Sequence, residues 1–140
     1  MNNTSINIHG IASIALRHHL QLLILYGSCA KGTERQGSDI DIAVFGLTPL
    51  SFETLLTLHD ELSVIFPGKE VDIKSLHHAT PFFQYQVMRD GILLYGDRHV
   101  FIRLKVYAIR MQQENFKLRH IRNVLLEKRQ KHLTSLFIHD

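Results

Sequence analysis

One cysteine, three prolines and no apolar run of the roughly 20 residues that a bilayer requires set the first limits on this 140-residue chain. With Cys29 alone there is no internal disulfide, so packing must hold the core. The start, MNNTSINIHG, has no Lys or Arg ahead of its first apolar stretch and lacks the charged beginning of a secretory signal. A reducing cytoplasm is the expected location, and a membrane protein is not expected. Repeats and low-complexity segments are missing too. Gly and Pro disappear beyond Arg98, which predicts one long or two consecutive helices to the end.

What is present fits one ordinary globular domain, with 45% hydrophobic and 21% charged residues. The net charge of +3 conceals an asymmetry. Residues 1–97 carry six basic and ten acidic side chains, whereas residues 98–140 carry ten basic and three acidic. The chain therefore divides into a core, 1–97, and a basic helical extension of the same domain, 98–140. Such an end can hold an acidic protein, meet the phosphates of a nucleotide or nucleic acid, or remain solvated. Arg103, Lys105, Arg110 and Arg119 are its candidate exposed cations. No aromatic stacking pattern or RNA-reading signature accompanies them, so nucleic acid is not the expected partner.

Apolar spacing predicts a helix over about 8–20, then a buried strand over 22–26. Gly27-Ser28 breaks that strand, with Ser28 expected to cap a short helix ending at Gly32. Residues 39–45, DIDIAVF, alternate at their start, so Asp39 and Asp41 share one strand face and Ile40, Ile42 and Val44 the other. A helix capped by Ser51 follows over 52–65, then an alternating strand at 71–76 bearing Asp72. Thr80-Pro81 opens another helix to about Gly91, and 92–95 forms a last strand. The expected architecture is α/β (α+β): a small mixed four-stranded sheet covered by helices, with C-terminal helices.

The chemistry concentrates in residues 26–41, YGSCAKGTERQGSDID. Gly27 lets phosphate approach the backbone, and the amides after Ser28 open a helix whose N–H groups favour an anion. Two carboxylates at i and i+2 on a strand lie about 7 Å apart along the backbone and repel unless a cation joins them. Mg²⁺ suits such all-oxygen ligation together with substrate phosphates, and a pair of ions about 3.5–4 Å apart can stabilise attacking and leaving oxygens. Asp72 completes the set if its strand neighbours the second, about 4.8 Å away, and could take a proton as general base.

Gly27-Ser28, ten intervening residues, then Asp39-x-Asp41 resembles the signature of the minimal nucleotidyltransferases of the polymerase-beta-like superfamily, with Asp72 in the place of that family's third carboxylate. The likeness covers roughly residues 20–97. Cys29 and Lys31 stand where arginine is often found; Lys31 keeps a charge for nucleotide phosphates but not the planar fork. The resemblance implies a nucleotidyltransferase fold and an antitoxin that transfers AMP from ATP to a tyrosine of a cognate HEPN-domain ribonuclease toxin. It implies catalytic and metal-binding roles for Asp39, Asp41 and Asp72, and nucleotide binding by Gly27, Ser28 and Lys31. The alternative is an antitoxin that neutralises the toxin by binding alone. His18-His19 and His77-His78 read as structural, since adjacent residues diverge and form no chelate. Cys29 is assigned no chemistry, and Phe82, Phe83 and Tyr85 read as core with one exposed ring. The apolar stretch from Leu133 to Ile138 could dock on the domain, meet a partner or fray.

Overall fold

In the computed structural model, which describes residues 6–138, helix α1 spans Ile8–Arg17 and is capped by the Asn7 side chain, which accepts from Gly10 N at 3.0 Å. Residues 1–5, part of the start read above, and residues 139–140 lie outside the described residues. The helix stops short of residue 20 because His18 closes it and His19 takes a φ of 53°. That reversal sends Leu20 and Leu22 into the sheet, so strand β1 is Leu20–Tyr26. There follow α2 (Ser28–Lys31), β2 (Ile40–Gly46), α3 (Phe52–Ile65), β3 (Val71–Ser75), α4 (Pro81–Asp90), β4 (Ile92–Gly96) and α5 (Arg98–Phe137). Ser51 and Thr80 cap α3 and α4 as their sequence positions predict, accepting from Thr54 N and Phe83 N.

The four strands lie in the order β3-β2-β1-β4, with β1 antiparallel to both neighbours and β2 parallel to β3. Alternation gives the sheet two faces. On one, Leu23, Leu25, Ile42 and Val44 pack with Ile11 and Ile14 of α1 and Leu58 and Leu62 of α3. On the other, Leu22, Ile24 and Ala43 pack with Val87 and Met88 of α4 and Ala108 of α5. Asp41 stands two positions before Ala43 and so belongs to the second face, at the sheet end where β1 finishes and β2 and β3 begin. The registers Tyr26↔Asp41 and Asp41↔Asp72 place three polar side chains in one row across three strands.

Helix α5 is a single element of 40 residues, about 60 Å long at 1.5 Å per residue. Asp97 caps it by accepting from His99 N at 2.6 Å. It packs against α4 and β4, yet only Ala108 is buried, and residues 116–138 are exposed throughout. The stretch from Leu133 to Ile138 therefore docks nowhere on its own domain. Arg103, Arg110 and Arg119 are exposed, while Lys105 is half-buried. Among the described residues no helix is long and apolar enough to cross a membrane.

Candidate active site

The turn between β1 and α2 is built by Gly27, whose φ of 75° and ψ of −155° lie in a region essentially reserved for glycine. Glycine, not Ser28, holds the cap position, and no side chain caps α2. This departs from the sequence expectation because the chain must reverse sharply at the end of a buried strand, and the reversal consumes the cap position. Ser28 thus becomes the first helical residue. The first backbone bond of the turn runs from Lys31 N to Gly27 O at 3.2 Å. The N–H groups of Ser28, Cys29 and Ala30 precede it and have no acceptor within the helix. A Cβ on Gly27 would collide with Oδ2 of Asp41. The missing side chain therefore serves the carboxylate as well as any phosphate.

Asp41 is half-buried, whereas Asp72, beside it across the parallel pair, is exposed. Asp39 lies just outside β2, exposed, since pairing starts only when Ile40 N donates to Glu70 O at 2.8 Å. Burial raises the pKa of the Asp41 carboxyl; Asp72 adds to the rise, Lys74 opposes it and Asp39 contributes least. Among the described residues no three His, Cys, Asp or Glu side chains converge into an ion cage by themselves. Mg²⁺ does not need one, because it takes one or two carboxylates and completes its shell with phosphate oxygens and water. A buried Tyr26 hydroxyl in the same row has no hydrogen-bond partner among the described residues. Burial, then Asp41, then Asp72 push its pKa upward, so it stays a protonated donor facing oxygen-rich chemistry. The donor set fits a hard divalent ion with a nucleotide.

That unbalanced charge gives a test. The raised pKa means that Asp41 loses stability for the metal-free fold as pH rises through its folded value, so its ionised form is a liability at neutral pH. Asp41→Asn is expected to stabilise the metal-free protein, by less than about 1 kcal/mol because the group is partly solvated, and so to raise its melting midpoint. It should also flatten the rise that Mg²⁺ produces in the wild type. A lower midpoint with an undiminished Mg²⁺ response would contradict this account of the carboxylate.

The remaining candidates are less free than their sequence suggests. Lys31 Nζ lies 3.5 Å from Asp90 Oδ2, an oxygen that Arg89 also approaches at 2.7 Å, so the phosphate turn is tied to the end of α4. Asp72 Oδ2 lies 3.4 Å from Lys74 Nζ, which also sits over the Phe83 ring. Cys29 Sγ donates to Glu34 Oε2 and to Asp39 O, both at 3.3 Å, and Lys69 holds Glu34 at 3.1 Å. Burial raises the Cys29 pKa, so this thiol is a strut for the 33–39 loop and not a nucleophile. His18 pairs with Glu61 at 2.8 Å; His77 Nε2 is 2.9 Å from Gly46 O and its ring stacks on Phe45. Tyr26 and Lys74 are the site residues that sequence reasoning missed. Their signals were faint: a tyrosine ending an apolar strand immediately before Gly27, and a lysine two positions after Asp72 on the same face.

The sequence family described as Polymerase beta, Nucleotidyltransferase matches residues 10–99. The Shewanella oneidensis protein adenylyltransferase MntA is 35% identical over 77 residues, which are 55% of this chain and 55% of that protein. The match thus spans about half of that relative. A toxin–antitoxin crystal structure with AMP-PNP superposes with a TM-score of 0.70 at 28% identity, covering 87% of this chain and 97% of the other. A complex of tri-AMPylated Shewanella oneidensis HEPN toxin with MNT antitoxin gives 0.66 at 25% identity, covering 89% and 97%.

Proposed function

Because the chain belongs to the polymerase-beta nucleotidyltransferase family, we propose that it is an antitoxin that transfers AMP from ATP to a tyrosine hydroxyl of a cognate HEPN-domain ribonuclease toxin and thereby inactivates it. The observation that carries this reading is the junction of Gly27 with Asp41: one turn offers free backbone donors and a carboxylate row together. The relatives support the acceptor, since one is named a protein adenylyltransferase and the toxin in another's complex is AMPylated.

The residues take the following roles. The amides after Gly27 and the Ser28 hydroxyl receive the phosphates of ATP, and Lys31 contributes charge at the far end of α2. Asp39 and Asp41, helped by Asp72, hold divalent metal, read as two Mg²⁺ ions. When bound, Mg²⁺ neutralises phosphate charge and favours departure of pyrophosphate. The acceptor tyrosine oxygen bonds to the α-phosphorus, the bond from that phosphorus to the α,β-bridging oxygen breaks, and pyrophosphate leaves. Asp72 accepts the phenolic proton, which requires that its carboxylate release Lys74 as the acceptor enters.

The wild-type chain, incubated with α-labelled ATP, Mg²⁺ and its cognate HEPN protein, is expected to leave label on a tyrosine, located by peptide mass spectrometry. A chain that binds ATP and the HEPN protein yet leaves the toxin unlabelled, while still restoring growth, would overturn catalysis. It would establish the alternative, neutralisation by binding alone.

A further inference from the structure

Asp39, Asp41 and Asp72 bring three negative charges to one end of the sheet, yet among the described residues a single cation forms an ion pair with any of them. That cation is Lys74, whose Nζ lies 3.4 Å from Asp72 Oδ2. The local sequence explains the placement. Along β3 alternation puts Asp72 and Lys74 on one face, and an extended strand spaces them by about 7 Å, within reach of a lysine stem. β3 is an edge strand, where a lysine ordinarily turns to solvent and discourages pairing with another chain. Here the ammonium turns back along its own strand to Asp72, and at the same time lies 5.7 Å from the centre of the Phe83 ring. That ring is steadied by an edge-on contact with Tyr26, the ring centres 5.6 Å apart. The ammonium thus has two places to rest, a carboxylate and an aromatic face. Its charge also reaches Asp41 on the neighbouring strand, where it lowers the carboxyl pKa by more than Asp39 raises it.

We infer that Lys74 is the resident counter-ion of the metal site, and that a divalent cation enters the row by displacing its ammonium from Asp72 toward the face of Phe83. The inference deepens the metal reading given above and rests on it. Carboxylates on adjacent strands repel, and in the metal-free chain the lysine relieves that repulsion. The two partners are about half exposed, 54% and 51%, so the pair is weak and an ion of twice the charge displaces it readily. Phe83 keeps the displaced ammonium close by, which makes the exchange reversible. Lys74 is therefore a positioning residue: it sets the metal concentration at which Asp72 becomes free to coordinate. Metal entry begins the release of Lys74 that the arriving acceptor completes.

The test uses the full chain and Mg²⁺ alone, without nucleotide or toxin. Lys74→Met keeps the stem and removes the charge. Half-saturation by Mg²⁺, read from the melting midpoint and by calorimetry, is expected at a roughly three- to five-fold lower concentration in this variant. Its metal-free midpoint should fall, and Lys74→Arg should behave as wild type in both measurements. Lys117→Met, on the outer half of α5, makes the same change in net charge away from the row and should leave half-saturation where it is. In NMR spectra of the wild type the Lys74 ε-methylene signal, identified by its loss in Lys74→Met, should move upfield as Mg²⁺ saturates, the ring-current mark of an ammonium settling on Phe83. An Mg²⁺ response that Asp41→Asn abolishes but Lys74→Met does not shift would overturn the inference and leave the metal reading standing. An equal gain in Lys117→Met would do the same by assigning the effect to net charge, as would an ε-methylene signal unmoved at saturation. A wild type that does not respond to Mg²⁺, or whose response Asp41→Asn preserves, would overturn the metal reading and the inference together.

Discussion

Changing Asp39 and Asp41 together to asparagine should lower AMP transfer by about 10⁴-fold or more while leaving binding of the toxin intact. The reasoning starts from charge. Each asparagine keeps the size of the aspartate and an acceptor oxygen but removes the negative charge that draws a divalent ion into the row. Charge stabilisation at a transferring phosphoryl group supplies several kcal/mol, and each 1.36 kcal/mol is a factor of ten in rate. Loss of both carboxylates removes most of that contribution. The fold should survive, because Ile40, Ile42 and Val44 bury the opposite side of β2 and neither aspartate forms an ion pair among the described residues. The readout is single-turnover labelling of the toxin beside a growth-rescue assay. Wild-type labelling by the double variant would refute the assignment of the carboxylates; full growth rescue without labelling would place neutralisation in binding.

Gly27→Ala should also be damaging, though less so than the double change, from a single methyl group and for two separable reasons. The backbone at Gly27 occupies a conformation that costs an L-residue of order 1–3 kcal/mol. The added Cβ also enters the space of the Asp41 carboxylate, so either the turn or the carboxylate must move. A displacement of about 1 Å at a reacting centre commonly costs on the order of 100-fold in rate. Urea unfolding should therefore show a destabilisation of roughly 2–3 kcal/mol, and nucleotide affinity should fall with it. Gly32→Ala makes a useful contrast: its φ of 69° is also positive, but a Cβ there meets nothing within 4 Å. An alanine at position 27 that lost stability yet kept full transfer would show that the turn and the carboxylate are not coupled.

Much of this was legible in the sequence, for local reasons. Ser51 and Thr80-Pro81 announce helix starts because capping is settled within four residues, and both caps form. The Asp39-x-Asp41 spacing suggests a paired-carboxylate site because residues i and i+2 of an extended chain project to one side. Relations between distant segments were less visible. Alternation places Asp72 on a strand face but cannot say that β3 lies parallel to β2 with Asp72 beside Asp41. Lys31 reads as a free phosphate ligand until α4 folds back and brings Asp90 within 3.5 Å. Ser28 reads as a cap until the chain reversal at Gly27 claims that position. Asp39 reads as a strand residue, yet the ladder begins one residue later, when Ile40 meets Glu70.

The uneven burial of the chain also sets its kinetics of exposure. The amides of β1 and β2 sit in the middle of the sheet between two packed faces. Their hydrogens can exchange with solvent only when the domain opens as a whole. The polar row at the sheet end is anchored to that persistent frame, since Tyr26 and Asp41 are residues of those two strands. Amides of residues 116–138 are held by the helix ladder alone and exchange through local fraying. One polypeptide therefore joins slow-exchanging central strands to a fast-exchanging outer helix, so that hydrogen exchange should divide the chain near residue 116.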